Sequence, residues 1–149
     1  MTTIVYRDGI LVADTSVWDR GCYVGQIVKV WGLSDGRLAG ASGPMGECAL
    51  FRDWFLAGAS EDFPDRIKND NFEGMIFSPN GDITWYGNER APVHVVGEYH
   101  AIGSGFRIAL GAMAAGASAE RAMEIVGCID DGTRAPFTVL RHAELLKVA

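Results

Sequence analysis

The chain has 149 residues, of which 48% are hydrophobic and 21% charged, and its formal net charge is −6. This composition is typical of one globular domain, residues 1–149, that is long enough to bury a sizeable core. The basic residues are scattered along an acidic chain, which argues against nucleic-acid binding and against attraction to an anionic membrane surface. The longest apolar stretch, around Ile108–Ala119, is too short to cross a bilayer.

The first part of the chain predicts four strands. Thr2–Tyr6 and Ile10–Ala13 flank an Asp8-Gly9 turn, which predicts a β-hairpin. Gln26–Leu33 and the small-residue segment Arg37–Ser42 are the next two strands, separated by a Ser-Asp-Gly turn. We expect these four strands to form one antiparallel sheet.

The middle of the chain predicts a helix and then further strands. Gly43-Pro44 opens a helix in which apolar residues recur at helical spacing as far as about Ala57. The polar segment Gly58–Asn71 contains a proline and predicts a loop with at most a turn of helix. Three more strands are predicted after it, at Phe72–Phe77, Asp82–Tyr86 and His94–Ile102.

Two helices and a last strand complete the pattern. The helices are predicted over Phe106–Ala115 and from the N-cap Ser118 to about Ile129. Pro136–Leu140 follows as a strand, and the tail forms a further turn of helix. This order of elements indicates two sheets with helices outside them.

The three cysteines and the N-terminus bear on the cellular compartment. Cys22, Cys48 and Cys128 are odd in number and far apart, without a CxxC pair. Such spacing disfavours a disulfide framework or a zinc site and favours a reducing compartment, with the thiols buried as small apolar side chains. The N-terminus lacks the basic and apolar regions of a secretory leader, so we expect a cytoplasmic protein.

Thr2 becomes the chain end once Met1 is removed, and this suggests a nucleophile. A free α-amine has a pKa of about 7.7–8.0, so at neutral pH part of it can act as a base toward the neighbouring hydroxyl. No histidine is needed in such a site. The alternative is equally simple, because a run of β-branched residues at an N-terminus is usually an edge strand, in which Thr3 is an ordinary neighbour.

Asp14 and Lys29 are candidates for a charge pair. An ammonium beside a threonine favours its alkoxide, and a carboxylate keeps the lysine charged. A lysine on a strand such as Ile27-Val28-Lys29-Val30 is as often a solvent-facing residue at a sheet edge. Spacing alone leaves both interpretations open.

Other catalytic patterns are weak. Gly103-Ser104-Gly105 could begin a dinucleotide loop, but the third glycine position is Ile108, and a strand-to-helix turn with a capping serine is the simpler interpretation. His94, His100 and His142 lack metal-ligand spacing, and no GxSxG elbow is present. We therefore expect neither a cofactor nor a metal.

Six short motifs, in order along nearly the whole chain, resemble the proteasome β-subunit/HslV family of N-terminal nucleophile (Ntn) hydrolases. They are Met1–Val5 followed by Asp8–Asp14, Ile27–Val30, Leu38–Gly43, Ala101–Gly105, Ala117–Ala122, and Asp130–Thr133 followed by Pro136–Leu140. The resemblance implies an α+β fold, the four-layer αββα sandwich, here with the first helical layer reduced because residues 58–71 do not support its second long helix.

The resemblance also implies roles for individual residues. Thr2 would be the nucleophile and its freed amine the general base, with Asp14 and Lys29 as the pair that activates the hydroxyl. A backbone N–H of Ser42 or Gly43 would form the oxyanion hole. The amine would be oriented by three further residues, namely Ser104, Asp130 and Thr133.

The implied activity is peptide-bond hydrolysis by a threonine peptidase inside a homo-oligomeric ring. Its substrates would be peptides or unfolded proteins, and an ATPase unfoldase is the implied partner. Removal of Met1 by a methionine aminopeptidase is needed, because an acylated Thr2 cannot act as a base. Two alternatives are a non-catalytic structural subunit of the same fold and an amidase for a small non-peptide substrate.

Overall fold

The computed structural model describes residues 1–87, 89 and 91–147. Its strands, numbered in chain order, are β1 Thr3–Arg7, β2 Ile10–Asp14, β3 Ser16–Asp19, β4 Cys22–Gln26, β5 Val30–Gly32, β6 Leu38–Ser42, β7 Glu73–Phe77, β8 Ile83–Tyr86, β9 Pro92–Val95, β10 Tyr99–Gly103 and β11 Phe137–Arg141. Its helices are α1 Met45–Leu56, α2 Phe106–Ala114, α3 Ala119–Ile129 and α4 His142–Leu146. Within these residues no helix has the length and apolarity needed to span a bilayer.

The first hairpin lies at the centre of a four-stranded antiparallel sheet with the order β10-β1-β2-β11. Asp8 and Gly9 both have positive φ, 53° and 76°, as the two central residues of the predicted tight turn require. The expected single sheet of four N-terminal strands is wrong, because β1 and β2 pair instead with strands from the second half of the chain.

The second sheet has five antiparallel strands in the order β5-β6-β7-β8-β9. Two sequence predictions are corrected here. The strand predicted over Gln26–Leu33 is divided into the end of β4 and the short β5, with residues 27–29 between them. The strand predicted over His94–Ile102 is divided as well, and its halves, β9 and β10, belong to different sheets.

A third, two-stranded sheet consists of β3 and β4, neither of which was predicted as a separate strand. Its strands are mostly exposed, so they lack the alternation of buried and polar residues by which a strand is usually recognised. The register shifts between Val17 and Trp18, which marks a β-bulge.

The two larger sheets pack face to face, with helices outside. Alternate residues of β1 and β2 point to opposite faces, as strand geometry requires. Ile4 and Leu11 lie in the cluster between the sheets, where Met75 and Phe77 meet them. The neighbouring Val5, on the other face, packs against α2 and α3. This arrangement confirms the predicted α+β, four-layer αββα architecture.

The outer layer beside the five-stranded sheet contains α1 and an irregular segment, residues 57–72. Phe63 lies in this segment and stacks on Tyr86 at 5.1 Å between ring centroids; it also meets Trp54 edge-on at 5.2 Å. Glu47 of α1 accepts the backbone N–H groups of Lys68 and Asn69. The segment predicted as a loop is therefore a loop, held on α1 by aromatic rings where a second helix would otherwise pack.

Candidate active site

Thr2 immediately precedes β1, which lies between β10 and β2 in the four-stranded sheet. The Thr2 carbonyl accepts the Ser104 N–H at 2.7 Å, and the Ser104 hydroxyl oxygen lies 3.3 Å from it. Strand pairing on both sides of β1 thus fixes the position of Thr2. Met1 precedes it and is 59% exposed.

A buried ion pair lies next to this N-terminal segment. Lys29 and Asp14 are 4% and 0% exposed, and Lys29 Nζ lies 2.9 Å from Asp14 Oδ2. The ammonium also donates to the carbonyls of Ser16 and Met1, each at 2.8 Å, so all three of its hydrogens have acceptors. Burial lowers the pKa of Lys29, and the Asp14 charge opposes this shift.

Asp14 also binds the backbone on either side of itself. Its Oδ1 accepts the Thr3 N–H at 2.8 Å, and its Oδ2 accepts the Ser16 N–H at 3.2 Å and the Ser16 hydroxyl at 2.7 Å. The carboxylate therefore holds the lysine and the start of β1 in one fixed arrangement. Ser16 lies two residues after Asp14, a spacing that puts both side chains on one face of an extended chain.

A second network of hydrogen-bonded side chains lies on the other side of Thr2. Asp130 Oδ2, just after α3, accepts the Ser104 hydroxyl at 2.8 Å and the Thr133 hydroxyl at 2.6 Å. Because Thr133 donates to Asp130, its oxygen accepts the Thr3 hydroxyl, at 2.7 Å. The Thr3 hydroxyl in turn accepts the Gly105 N–H at 3.0 Å. Every donor in this network has a defined acceptor.

Two sequence expectations are corrected by this hydrogen-bond network. Thr3 is more than an ordinary β-branched neighbour, because its buried hydroxyl links Thr133 to the turn that begins α2. Ser104 is not a capping serine, since Gly105 is the N-cap of α2 and no side chain caps that helix. The Ser104 hydroxyl is directed to Asp130 instead.

The backbone after β6 distinguishes Gly43 from Ser42. Ala41 N donates to Lys29 O at 3.4 Å, so that N–H points toward β5. Successive N–H groups of a strand point to opposite edges, so Ser42 faces β7, where it is paired with Glu73. Gly43 has φ +127°, and a Cβ there would lie 2.9 Å from Phe72 Cα, a position that only glycine occupies without strain.

A cleft of about 250 Å³ opens over this site. Thr2, Lys29 and Gly43 line it, and the same three residues line an adjoining cavity of about 30 Å³. Ser42 borders neither cavity. Apolar side chains on its side walls come from β3, the segment after β4 and the start of α1, namely Val17, Trp18, Ile27, Pro44 and Met45.

The remaining candidates lie elsewhere. His142 is buried between Tyr6 and the Gly36 carbonyl, so it belongs to the core. The prediction of three buried thiols is wrong, because Cys22 and Cys128 are exposed and Cys48 is only partly buried. Among the residues that the structure describes, no group of three or more His, Cys, Asp or Glu side chains could hold a metal ion.

These contacts define what the site can do chemically. The ammonium of Lys29 supplies positive charge beside Thr2, which favours the alkoxide of a nearby hydroxyl. Hydroxyl and carboxylate groups surround the Thr2 backbone on the opposite side. With Met1 attached, however, Thr2 N is an amide nitrogen whose lone pair is delocalised, so it cannot accept a proton.

The chain is similar in structure to proteins of known three-dimensional form. It matches BPH from Thiobacillus denitrificans with 20% identity and a TM-score of 0.67, over 93% of this chain and 95% of that one. It matches BPH in complex with epoxomicin with 18% identity and a TM-score of 0.68, over 93% and 96%. Eukaryotic HslV from Trypanosoma brucei matches with 18% identity and a TM-score of 0.67, over 94% and 98%.

The structural similarity confirms the predicted four-layer αββα fold, since it extends over nearly the whole of each chain. No protein-family model matches the sequence. No curated protein matches it either.

Proposed function

We propose that this chain is a threonine peptidase of the proteasome/HslV type, in which removal of Met1 exposes Thr2 as the nucleophile. The observation that carries the proposal is that two polar networks reach the backbone on either side of Thr2. Lys29 and Asp14 approach from one side, and Ser104 with Asp130 and Thr133 from the other. A strand terminus without a catalytic role gives no physical reason to bury an ion pair beside it.

The reaction begins with the freed amine of Thr2. The neutral amine takes the hydroxyl proton, directly or through a water, while Thr2 Oγ attacks the carbonyl carbon of the scissile bond. The positive charge of Lys29 lowers the cost of the developing alkoxide. The hydroxyl of Ser104, fixed by Asp130, orients the amine.

Charge on the tetrahedral intermediate needs a donor in the cleft. Of the two predicted candidates we propose the N–H of Gly43, because Gly43 lines the cleft with Thr2 and Ser42 does not. The intermediate collapses as the scissile C–N bond breaks, and the leaving amine takes the proton from the Thr2 ammonium. Water, deprotonated by the same Thr2 amine, then hydrolyses the Thr2 ester and releases the acid product.

We include a homo-oligomeric ring in the proposal. Several apolar side chains next to the cleft are exposed in the single chain, and burial against a second copy would remove them from water. They are Tyr23, Val24, Ile27, Val28 and Met45. The mass of the assembly in solution tests this part, and a monomer that hydrolyses small amides would favour the amidase alternative.

The test of the nucleophile is the intact mass after incubation with epoxomicin, the compound with which BPH from Thiobacillus denitrificans forms a complex. We expect a species that has lost Met1 and gained one epoxomicin. Thr2→Ala should abolish both labelling and peptide hydrolysis, by roughly four to six orders of magnitude, with the circular dichroism spectrum unchanged. Hydrolysis that persists in Thr2→Ala would refute the proposal, and a Met1-free parent that neither reacts nor hydrolyses would favour a structural subunit.

A further inference from the structure

The β3–β4 hairpin forms one wall of the cleft yet belongs to neither large sheet. Val17 and Trp18 of β3 line the cleft beside Thr2. An isolated two-stranded hairpin has marginal stability in water. The position of this wall relative to Thr2 therefore depends on contacts from outside the hairpin.

One of these contacts is the loop after α3. The Gly132 carbonyl accepts the Trp18 indole N–H at 3.1 Å, and it lies 2.6 Å from the Ser16 hydroxyl, whose single hydrogen it shares with Asp14 Oδ2. Gly132 lies between Asp130 and Thr133, which belong to the network around Thr2. This loop thus connects the wall of the cleft to the orienting residues.

A further contact comes from Arg134, in the same loop. Its guanidinium carbon lies 4.8 Å from the ring centroid of Tyr23 on β4 and 5.7 Å from that of Trp18 on β3. The two rings meet edge-on at 5.8 Å. Among the described residues no carboxylate forms an ion pair with Arg134. The guanidinium is therefore directed to the two aromatic faces, one on each strand.

We propose that Arg134 is a positioning residue that holds the hairpin wall against the Asp130–Thr133 loop and thereby sets how tightly the cleft binds substrate. The inference rests on the proposed peptidase function. Arg134 does not line the cleft, so it acts through Trp18 and Tyr23. The contacts that orient Thr2 remain when Arg134 is replaced, so binding should weaken and turnover should stay.

The size of the effect follows from the two ring contacts. Two cation–π pairs of the strength usual at partly exposed sites together amount to roughly a five- to thirtyfold change in an equilibrium constant. Arg134→Gln should raise KM for a peptide by up to that factor, with kcat within about twofold. Arg134→Lys should give an intermediate value, because an ammonium keeps the charge but cannot stack flat on two rings.

The matched control is Arg107→Gln. Arg107 also lies over an aromatic ring, at 4.7 Å from the Phe106 centroid, but neither residue lines the cleft. It should leave KM and kcat unchanged. The inference is overturned if Arg134→Gln leaves KM at the parent value, if it lowers kcat as much as it raises KM, or if Arg107→Gln has the same effect.

A second measurement is independent of activity. In the Thr2→Ala background, amide hydrogen exchange over residues 16–26 should be five- to thirtyfold faster with Arg134→Gln, while exchange in β1 and β2 stays the same. Unchanged exchange in the hairpin overturns the inference whatever the enzyme does. If the parent hydrolyses nothing but hairpin exchange responds, the proposed function has failed, whereas the contact between Arg134 and the hairpin stands.

Discussion

The substitution Lys29→Met tests the buried ion pair most directly. It removes the ammonium and leaves the Asp14 carboxylate in a fully buried position. Breaking a buried pair by removing one partner costs about 3–5 kcal/mol. Asp14 keeps three other donors, from Thr3 N, Ser16 N and Ser16 Oγ. We therefore expect a loss near the lower end, about 3 kcal/mol, which for a chain of this length lowers Tm by roughly 6–12 °C.

The assay is urea unfolding followed by far-UV circular dichroism, at one protein concentration because assembly adds to apparent stability. The control is Arg121→Gln, which breaks an exposed pair with Glu124 and should cost less than about 0.5 kcal/mol. Adding Asp14→Asn to Lys29→Met neutralises the stranded carboxylate, so the double variant should be more stable than the sum of the single changes predicts. The reasoning fails if Lys29→Met is as stable as the control or if the two changes are additive.

Three further predictions concern pH, the cleft backbone and the loop over α1. The kcat/KM of the Met1-free chain should rise with pH through about 8, as the Thr2 amine loses its proton. It should decline again at a pH below the ordinary lysine pKa of 10.5, because burial lowers the pKa of Lys29. A profile that is still flat at pH 10.5 would contradict this prediction. Gly43→Ala should lower kcat/KM roughly 10²–10³-fold by displacing the N–H donor, whereas Gly46→Ala, in open space on α1, should not, and equal activities would exclude the donor role. Phe63→Ala should cost about 2 kcal/mol in urea unfolding, because four rings lose their partner, and a change within experimental error would show that the loop is not held by its rings.

The sequence predicted elements better than it predicted their partners. The Asp8-Gly9 turn, α1 and the capped start of α3 were predictable because their signals are local. The division of the strands between sheets was not, because β1 pairs with a strand almost a hundred residues later. The strand predicted over His94–Ile102 appeared continuous, and its break at Gly97 depends on which sheet each half joins.

The residues of the candidate site were likewise predicted only in part. Thr2, Asp14 and Lys29 were expected together from the resemblance, and the structure brings Lys29 and Asp14 within 2.9 Å. The hydroxyl of Thr3 was missed, because a β-branched residue in a strand is adequately explained by strand propensity. Trp18 was missed as a wall of the cleft, since an aromatic side chain on an exposed hairpin carries no signal of what lies beside it.

Because Lys29 donates a hydrogen bond to the Met1 carbonyl, removal of Met1 changes two groups of the proposed peptidase site, the Lys29 ammonium and the Thr2 nitrogen. While Met1 is attached, the third ammonium hydrogen of Lys29 is occupied and Thr2 has no basic nitrogen. Cleavage of the Met1–Thr2 bond takes away that acceptor and creates the amine at the same place. Loss of Met1 therefore frees one hydrogen of the Lys29 ammonium and creates the Thr2 base in the same step, and we expect the unprocessed chain to be inactive. In the proposed peptidase, Met1 thus blocks the chemistry of the site until it is removed.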